Sequence, residues 1–216
     1  MQVTTIGLDL AKNIFQVHGV TEDGSVAFNR PVRRAQLLQF FKMQPPCLVG
    51  MEACGSSHYW GRELTKLGHD VRLMAPVYVK PYVKRGKSDA ADAEAICEAV
   101  TRPTMRFVPI KSVEQQGVLT QHRVRELLIR QRTQLSNTIR ALIGEFGYVI
   151  RKGVNYIRDF AIEMQAGGTE GIPAMARSAV TALCRQFLEL NEKLITVEKE
   201  IVCVARKDKR AQLLQT

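Results

Sequence analysis

Along the first hundred residues, short β-rich apolar runs alternate with helical stretches, an α/β pattern. Val3 to Asp9 and Ile14 to Val20 are two such runs and Ser25 to Asn29 is a third. Thr21-Glu22-Asp23-Gly24, between the last two, has hairpin-turn chemistry, so three antiparallel strands are expected first. An amphipathic stretch from Arg33 to Met43 predicts a helix, Pro45-Pro46 breaks it, and Cys47 to Glu52 reads as a buried strand. A second helix is expected over Ser56 to Leu67, stopped by Gly68, followed by a strand from Asp70 to Met74. The order βββαβαβ places this part in the α/β class, with a mixed sheet flanked by helices.

Past residue 108 the strand signature almost disappears. One long helical pattern runs from about Ser112 to Phe146, with Val124, Leu128, Leu135 and Leu142 near heptad spacing and Ile139 and Phe146 widening the stripe. Gly167-Gly168-Thr169-Glu170-Gly171-Ile172-Pro173 is a loop by composition. The next helix carries Val180, Leu183, Phe187, Leu190, Leu194, Val197, Ile201 and Val204, whose alternating steps of three and four predict a coiled-coil seam. That seam closes either on the earlier helix or on a second copy of the chain, which makes residues 180–204 the expected homo-oligomer contact. Two domains follow, an α/β domain over 1–108 and a helical coiled-coil region over 109–216.

Composition narrows the classes. The chain has 216 residues and a formal charge of +10, which points to a polyanionic partner. No apolar run approaches the roughly 18 residues of a membrane span, and the N-terminus lacks signal-peptide character, so no membrane association is expected and the cytoplasm is the expected compartment. Cys47, Cys54, Cys97, Cys184 and Cys203 are odd in number and widely spaced, which argues for reduced thiols over a zinc site or a disulfide framework. His18, His58, His69 and His122 form no ligand pattern, and Phe40, Phe41, Tyr59 and Trp60 are expected in the core.

Four acids sit where strand ends or a helix start would present them. Asp9 closes the first strand and Glu52 the fourth, while Asp89 and Asp92, three apart, share one face of a helix. If the first and fourth strands are neighbours and this helix crosses them, all four converge. Crowded carboxylates push one another toward protonation, and a divalent cation relieves that conflict. Hard oxygen ligands select Mg2+ or Mn2+, and paired ions of this kind serve phosphodiester chemistry. Individually each acid also suits a cap or turn. Ser56 and Ser57 are expected to cap the following helix.

The order Asp, Glu, Asp, Asp on this frame resembles the RuvC-like branch of the RNase H superfamily. The strings Gly-Leu-Asp-Leu-Ala-Lys-Asn, Gly-Met-Glu-Ala-Cys-Gly and Lys-Ser-Asp-Ala-Ala-Asp-Ala more narrowly resemble the DEDD-type insertion-sequence transposases, relatives of the pilin-gene invertase. The resemblance implies DNA transposition and recombination, a bridge RNA as guide in some members, and a catalytic, metal-binding quartet of Asp9, Glu52, Asp89 and Asp92. It also implies a later domain with a serine nucleophile, which identifies a chain stopping at Thr216 as a fragment unable to complete strand exchange alone. A nucleoid-associated bacterial protein is the implied setting.

Basic residues supply candidate nucleic-acid contacts. Lys12 follows Asp9 closely; Lys80, Lys84, Arg85 and Lys87 run up to Asp89 without an intervening acid, beside Tyr78 and Tyr82, which could stack on bases. From Arg123 to Lys152, seven basic residues, among them Arg123, Arg130 and Arg132, face only Glu126 and Glu145. A sugar-kinase or actin-like ATPase would need Asp-x-Gly after the first strand, whereas Leu10-Ala11 follows Asp9. Two other readings stay open, a non-catalytic dimerising nucleic-acid-binding module and a Holliday-junction-type resolvase.

Overall fold

The computed structural model describes residues 2–84 and 88–208. The chain divides into two compact units, 1–112 and 113–216. The first is built on a six-stranded sheet: β1 (Val3–Asp9), β2 (Ile14–Thr21), β3 (Val26–Arg33), β4 (Leu48–Glu52), β5 (Asp70–Met74) and β6 (Phe107–Val108), in the order β3-β2-β1-β4-β5-β6. β1 pairs antiparallel with β2 but parallel with β4, and β4 parallel with β5, so the sheet is mixed. The α/β expectation therefore holds, and the two acid-bearing strands lie side by side. β6 was not foreseen, because two residues carry no alternation to read.

Alternation along β1 and β4 divides the layers. Ile6, Leu8, Val49 and Met51 point to one side and join Phe15, Val17, Leu37, Phe41, Trp60 and Leu64 in a core beneath α1 (Leu37–Lys42) and α2 (Ser57–Lys66). Phe15 and Trp60 meet edge to face at 5.3 Å. The opposite side is covered by α4 (Asp89–Val100), which follows a short α3 (Pro76–Val79) and buries Ile96, Ala99 and Val100 with Met74 and Val79. Three local expectations need correction. The first helix starts late, because Arg34–Gln36 form a 3-10 turn before it. Ser56 sits at the N-cap of α2 with φ 71° but makes no capping hydrogen bond; Ser57 instead donates its hydroxyl to the Cys54 carbonyl at 2.9 Å. Tyr59 is 44% exposed, unlike its core neighbours Phe40, Phe41 and Trp60.

The second unit contains α5 (Val113–Gly144), α6 (Val154–Gln165) and α7 (Ala174–Lys207). Val180, Cys184 and Phe187 of α7 bury against Ile139 and Ile143 of α5 and Ile157, Phe160 and Met164 of α6. α6 was missed by the heptad search, although its apolar residues recur at one helical face and glycines flank it. The α7 stripe is buried at Val180, Phe187, Leu190 and Leu194, half-buried at Leu183, Val197 and Ile201, and 38% exposed at Val204. Its N-terminal half is thus occupied within the chain. Phe187→Ala is expected to cost about 3–5 kcal/mol of stability by opening a cavity among these helices. Urea unfolding followed by far-UV circular dichroism reads that loss; an unchanged midpoint would remove Phe187 from the core.

Candidate metal centre

The site begins with strand register. Because β1 and β4 run parallel with Gly7 opposite Gly50 and Leu8 opposite Met51, Asp9 and Glu52 emerge together at the C-terminal edge of the sheet. Each acid lies two residues beyond a glycine, so acid and glycine share the side facing α4. That spacing has a steric cause. A Cβ at Gly7 would stand 2.1 Å from the Ala93 carbonyl oxygen and 2.5 Å from the Cys97 nitrogen, and one at Gly50 would stand 2.8 Å from Val100 Cβ. The two glycines let α4 lie almost against the strands.

α4 then delivers the other two acids. Ser88 caps it, accepting a hydrogen bond from the Ala91 amide at 3.3 Å, and Asp89 and Asp92 occupy the first turn, where the helix dipole favours negative charge. Asn29 on β3 donates to the Ala90 carbonyl at 3.2 Å and is itself held by Gln16 at 2.6 Å, opposite Asp9. The carboxylates of Asp9, Asp89 and Asp92 offer oxygens within 4.8 Å of one another; Asp9 and Asp92 are half-buried and Asp89 is exposed. Glu52 stands beside this trio rather than within it.

Charge crowding acts on Asp9 and Glu52. Burial raises the Asp9 pKa above its ordinary value, and Asp92 and Asp89 raise it further, against a lowering hydrogen bond from the Leu10 backbone. Burial likewise raises Glu52, with Asp9 and then Asp92 adding to the effect. The donor set suits a hard divalent cation. Oxygens bound at roughly 2.0–2.1 Å lie at most about 4.2 Å apart across one Mg2+ ion, so small side-chain movements would close the trio on it.

The expected nucleic-acid contacts do not gather in the same way. Lys12 and Lys80 are exposed, and Lys84 pairs with Glu94 at 2.5 Å. Arg85 and Lys87 lie outside the described residues. Tyr78 is exposed, whereas the Tyr82 ring is half-buried under Arg102. On α5, Arg123 is exposed, Arg130 pairs with Glu126 at 2.9 Å and Arg132 donates to Asn191 at 3.1 Å. Arg125 is engaged by Glu198 at 2.8 Å, a partner far away in sequence. Of the histidines, His122 is exposed, whereas His69 is buried, with Nδ1 accepting from the Cys47 amide at 3.3 Å and Nε2 lying 3.2 Å from the Phe41 carbonyl. All five cysteines are free. No described helix is long and apolar enough to cross a membrane.

An α/β unit presenting an Asp, Glu, Asp, Asp set at one sheet edge defines the class, and comparison with known proteins supplies the family. A family model described as a transposase, that of the DEDD type from IS110 elements, matches residues 6–147. Over 99% of its length the chain is 49% identical to a "Probable family 20 transposase" of Pseudomonas aeruginosa, covering 64% of that protein. It is 37% identical to the transposase for insertion sequence element IS1328 of Yersinia enterocolitica and 35% identical to that for IS1111A of Coxiella burnetii, covering 63% and 59% of them. The chain belongs to the IS110 family of DEDD transposases. It spans less than two thirds of the length of these relatives.

Proposed function

We propose that residues 1–108 form an RNase H-like, RuvC-like nuclease domain of a transposase, which cleaves DNA phosphodiesters with Mg2+ or Mn2+ held by Asp9, Glu52, Asp89 and Asp92. One observation carries the reading: Asp9, Asp89 and Asp92 converge to within 4.8 Å, with Glu52 electrostatically coupled to Asp9 and Asp92. The order β3-β2-β1-β4-β5, with the acid-bearing strands central, supports the superfamily assignment. When bound, the cation neutralises the phosphate and activates the attacking nucleophile. The chain's own part is positional. α4 holds Asp89 and Asp92 over the strand ends, with Asp89 the exposed member of the trio. Burial and the neighbouring acids disfavour the charged forms of Asp9 and Glu52, a penalty that a bound cation would relieve.

Residues 109–216 fit a nucleic-acid-binding and oligomerising role through the basic face of α5 and the partly exposed end of the α7 stripe, Val197–Val204. Strand transfer belongs to the whole transposase, and the support for a guide RNA is the resemblance to bridge-RNA-guided members. Asp92→Asn is expected to lower Mn2+-dependent nicking of branched DNA by about 10²–10³-fold, the cost of removing one charge-stabilising group. Unchanged nicking, or Mn2+ anomalous scattering elsewhere, would overturn the assignment. A wild-type chain that binds the ion at these acids yet leaves DNA intact would favour the non-catalytic module.

A further inference from the structure

The second unit holds a recess between the middle of α5 and the start of α6. It measures about 140 Å³ and is lined by Arg132, Thr133, Ser136, Asn137 and Arg140 from α5, with Gly153 and Val154 closing its far side. The α5 residues fall at steps that keep them on one helical face. Among the described residues, no carboxylate holds either guanidinium. Arg132 donates to the Asn191 side-chain oxygen at 3.1 Å; Arg140 donates to the carbonyls of Arg151 and Gly153 at 3.2 and 3.1 Å, with Asn137 Oδ1 at 3.5 Å. These neutral acceptors fix the two groups in place and leave their charge uncompensated. Arg125 and Arg130 on the same helix, by contrast, are spent on glutamates.

One further feature points to an anion. α6, twelve residues long, starts at the recess without a side-chain cap and without an acid in its first turn, so its positive end is unopposed there. At about 140 Å³ the recess has room for a tetrahedral oxyanion.

We propose that this recess binds a single phosphate group, that of a DNA backbone, between Arg132 and Arg140. Guanidinium groups already held in place grip phosphate with little further ordering. The identity of the phosphate's owner rests on the transposase reading above; affinity for phosphate itself does not, and no acid of the metal centre takes part.

The test is a titration of the full chain with inorganic phosphate, following the Gly153 and Val154 amides and the Arg140 Nε–H by NMR, with chloride at matched ionic strength as control. Saturable shifts are expected with phosphate only. They should vanish in Asn137→Asp, which sets a carboxylate in the recess while leaving both arginines, and weaken in Arg132→Gln. Shifts that do not saturate, that chloride reproduces, or that survive in both variants overturn the site. A second arm measures duplex DNA affinity against salt: Asn137→Asp should flatten the log–log slope by about one unit, the signature of one lost phosphate contact. Phosphate binding with an unchanged DNA slope would overturn the assignment to a DNA phosphate. Nicking activity enters neither arm, so failure here is separable from failure of the metal centre.

Discussion

Alanine at position 7 is expected to cost the first unit about 3 kcal/mol or more and to abolish Mn2+ binding at the same time. The added Cβ would meet the Ala93 carbonyl oxygen at 2.1 Å and the Cys97 nitrogen at 2.5 Å, both backbone atoms in the middle of α4. Overpacking costs about 1–3 kcal/mol where side chains can yield, and more where backbone has to move. Here the helix itself must lift, and it carries Asp89 and Asp92 with it. Gly50→Ala is the internal control. Its Cβ would press on Val100 Cβ at 2.8 Å, a looser contact than those at Gly7 and one at the opposite end of α4 from Asp89 and Asp92, so a smaller loss of about 1–3 kcal/mol is expected with metal binding largely kept. Urea denaturation and Mn2+ calorimetry on both variants read the difference. A Gly7→Ala protein with wild-type stability and affinity would show that close packing of α4 does not build the site.

The same glycines show what a sequence does and does not disclose. Strands β1 to β5 were legible as short apolar, β-rich runs bounded by turn or helix-breaking residues, even where both faces are buried, as in Ile6–Leu8 and Val49–Met51. Asp9 and Glu52 were legible as strand ends, and Asp89 and Asp92 as a pair on a helix. Convergence of all four needed the β1–β4 pairing and a helix crossing both strands, which the sequence supported only as a condition. The Gly-x-acid spacing shared by Gly7-Leu8-Asp9 and Gly50-Met51-Glu52 is the sequence's signal for a helix crossing at close range. Basic residues misled for a different reason. Arg125 and Arg132 look free along α5, but Glu198 and Asn191, which engage them, lie far along the chain on α7. Ser56 looked like a cap by residue type alone, whereas its left-handed backbone denies its hydroxyl the capping geometry.

Asp9→Asn is expected to melt above the wild type when metal is chelated and below it when Mg2+ is saturating. Burial, then Asp92 and Asp89, hold the Asp9 pKa above the ordinary value of 3.8, and Glu52 is raised above 4.5 in the same way. Raised carboxylates bind more protons in the folded chain than in the unfolded one, so they stabilise the fold fully only below their unfolded values. That contribution is lost as the pH climbs through the folded values, and at neutral pH the ionised cluster opposes folding. Asparagine keeps the shape of Asp9 and removes its charge. A gain of roughly 0.5–2 kcal/mol is expected, the range typical of single stabilising changes. Cation binding reverses the order, because a ligand at a hundred times its dissociation constant stabilises the wild type by about 2.7 kcal/mol, whereas the variant has lost a ligand. Melting curves in EDTA and in Mg2+, at acid and at neutral pH, follow both effects. In EDTA the advantage of Asp9→Asn should shrink as the pH falls, since the wild-type carboxylate then regains its proton. A variant that melts lower in both media would make Asp9 a structural group held by the Leu10 amide, and the metal centre would lose its central residue.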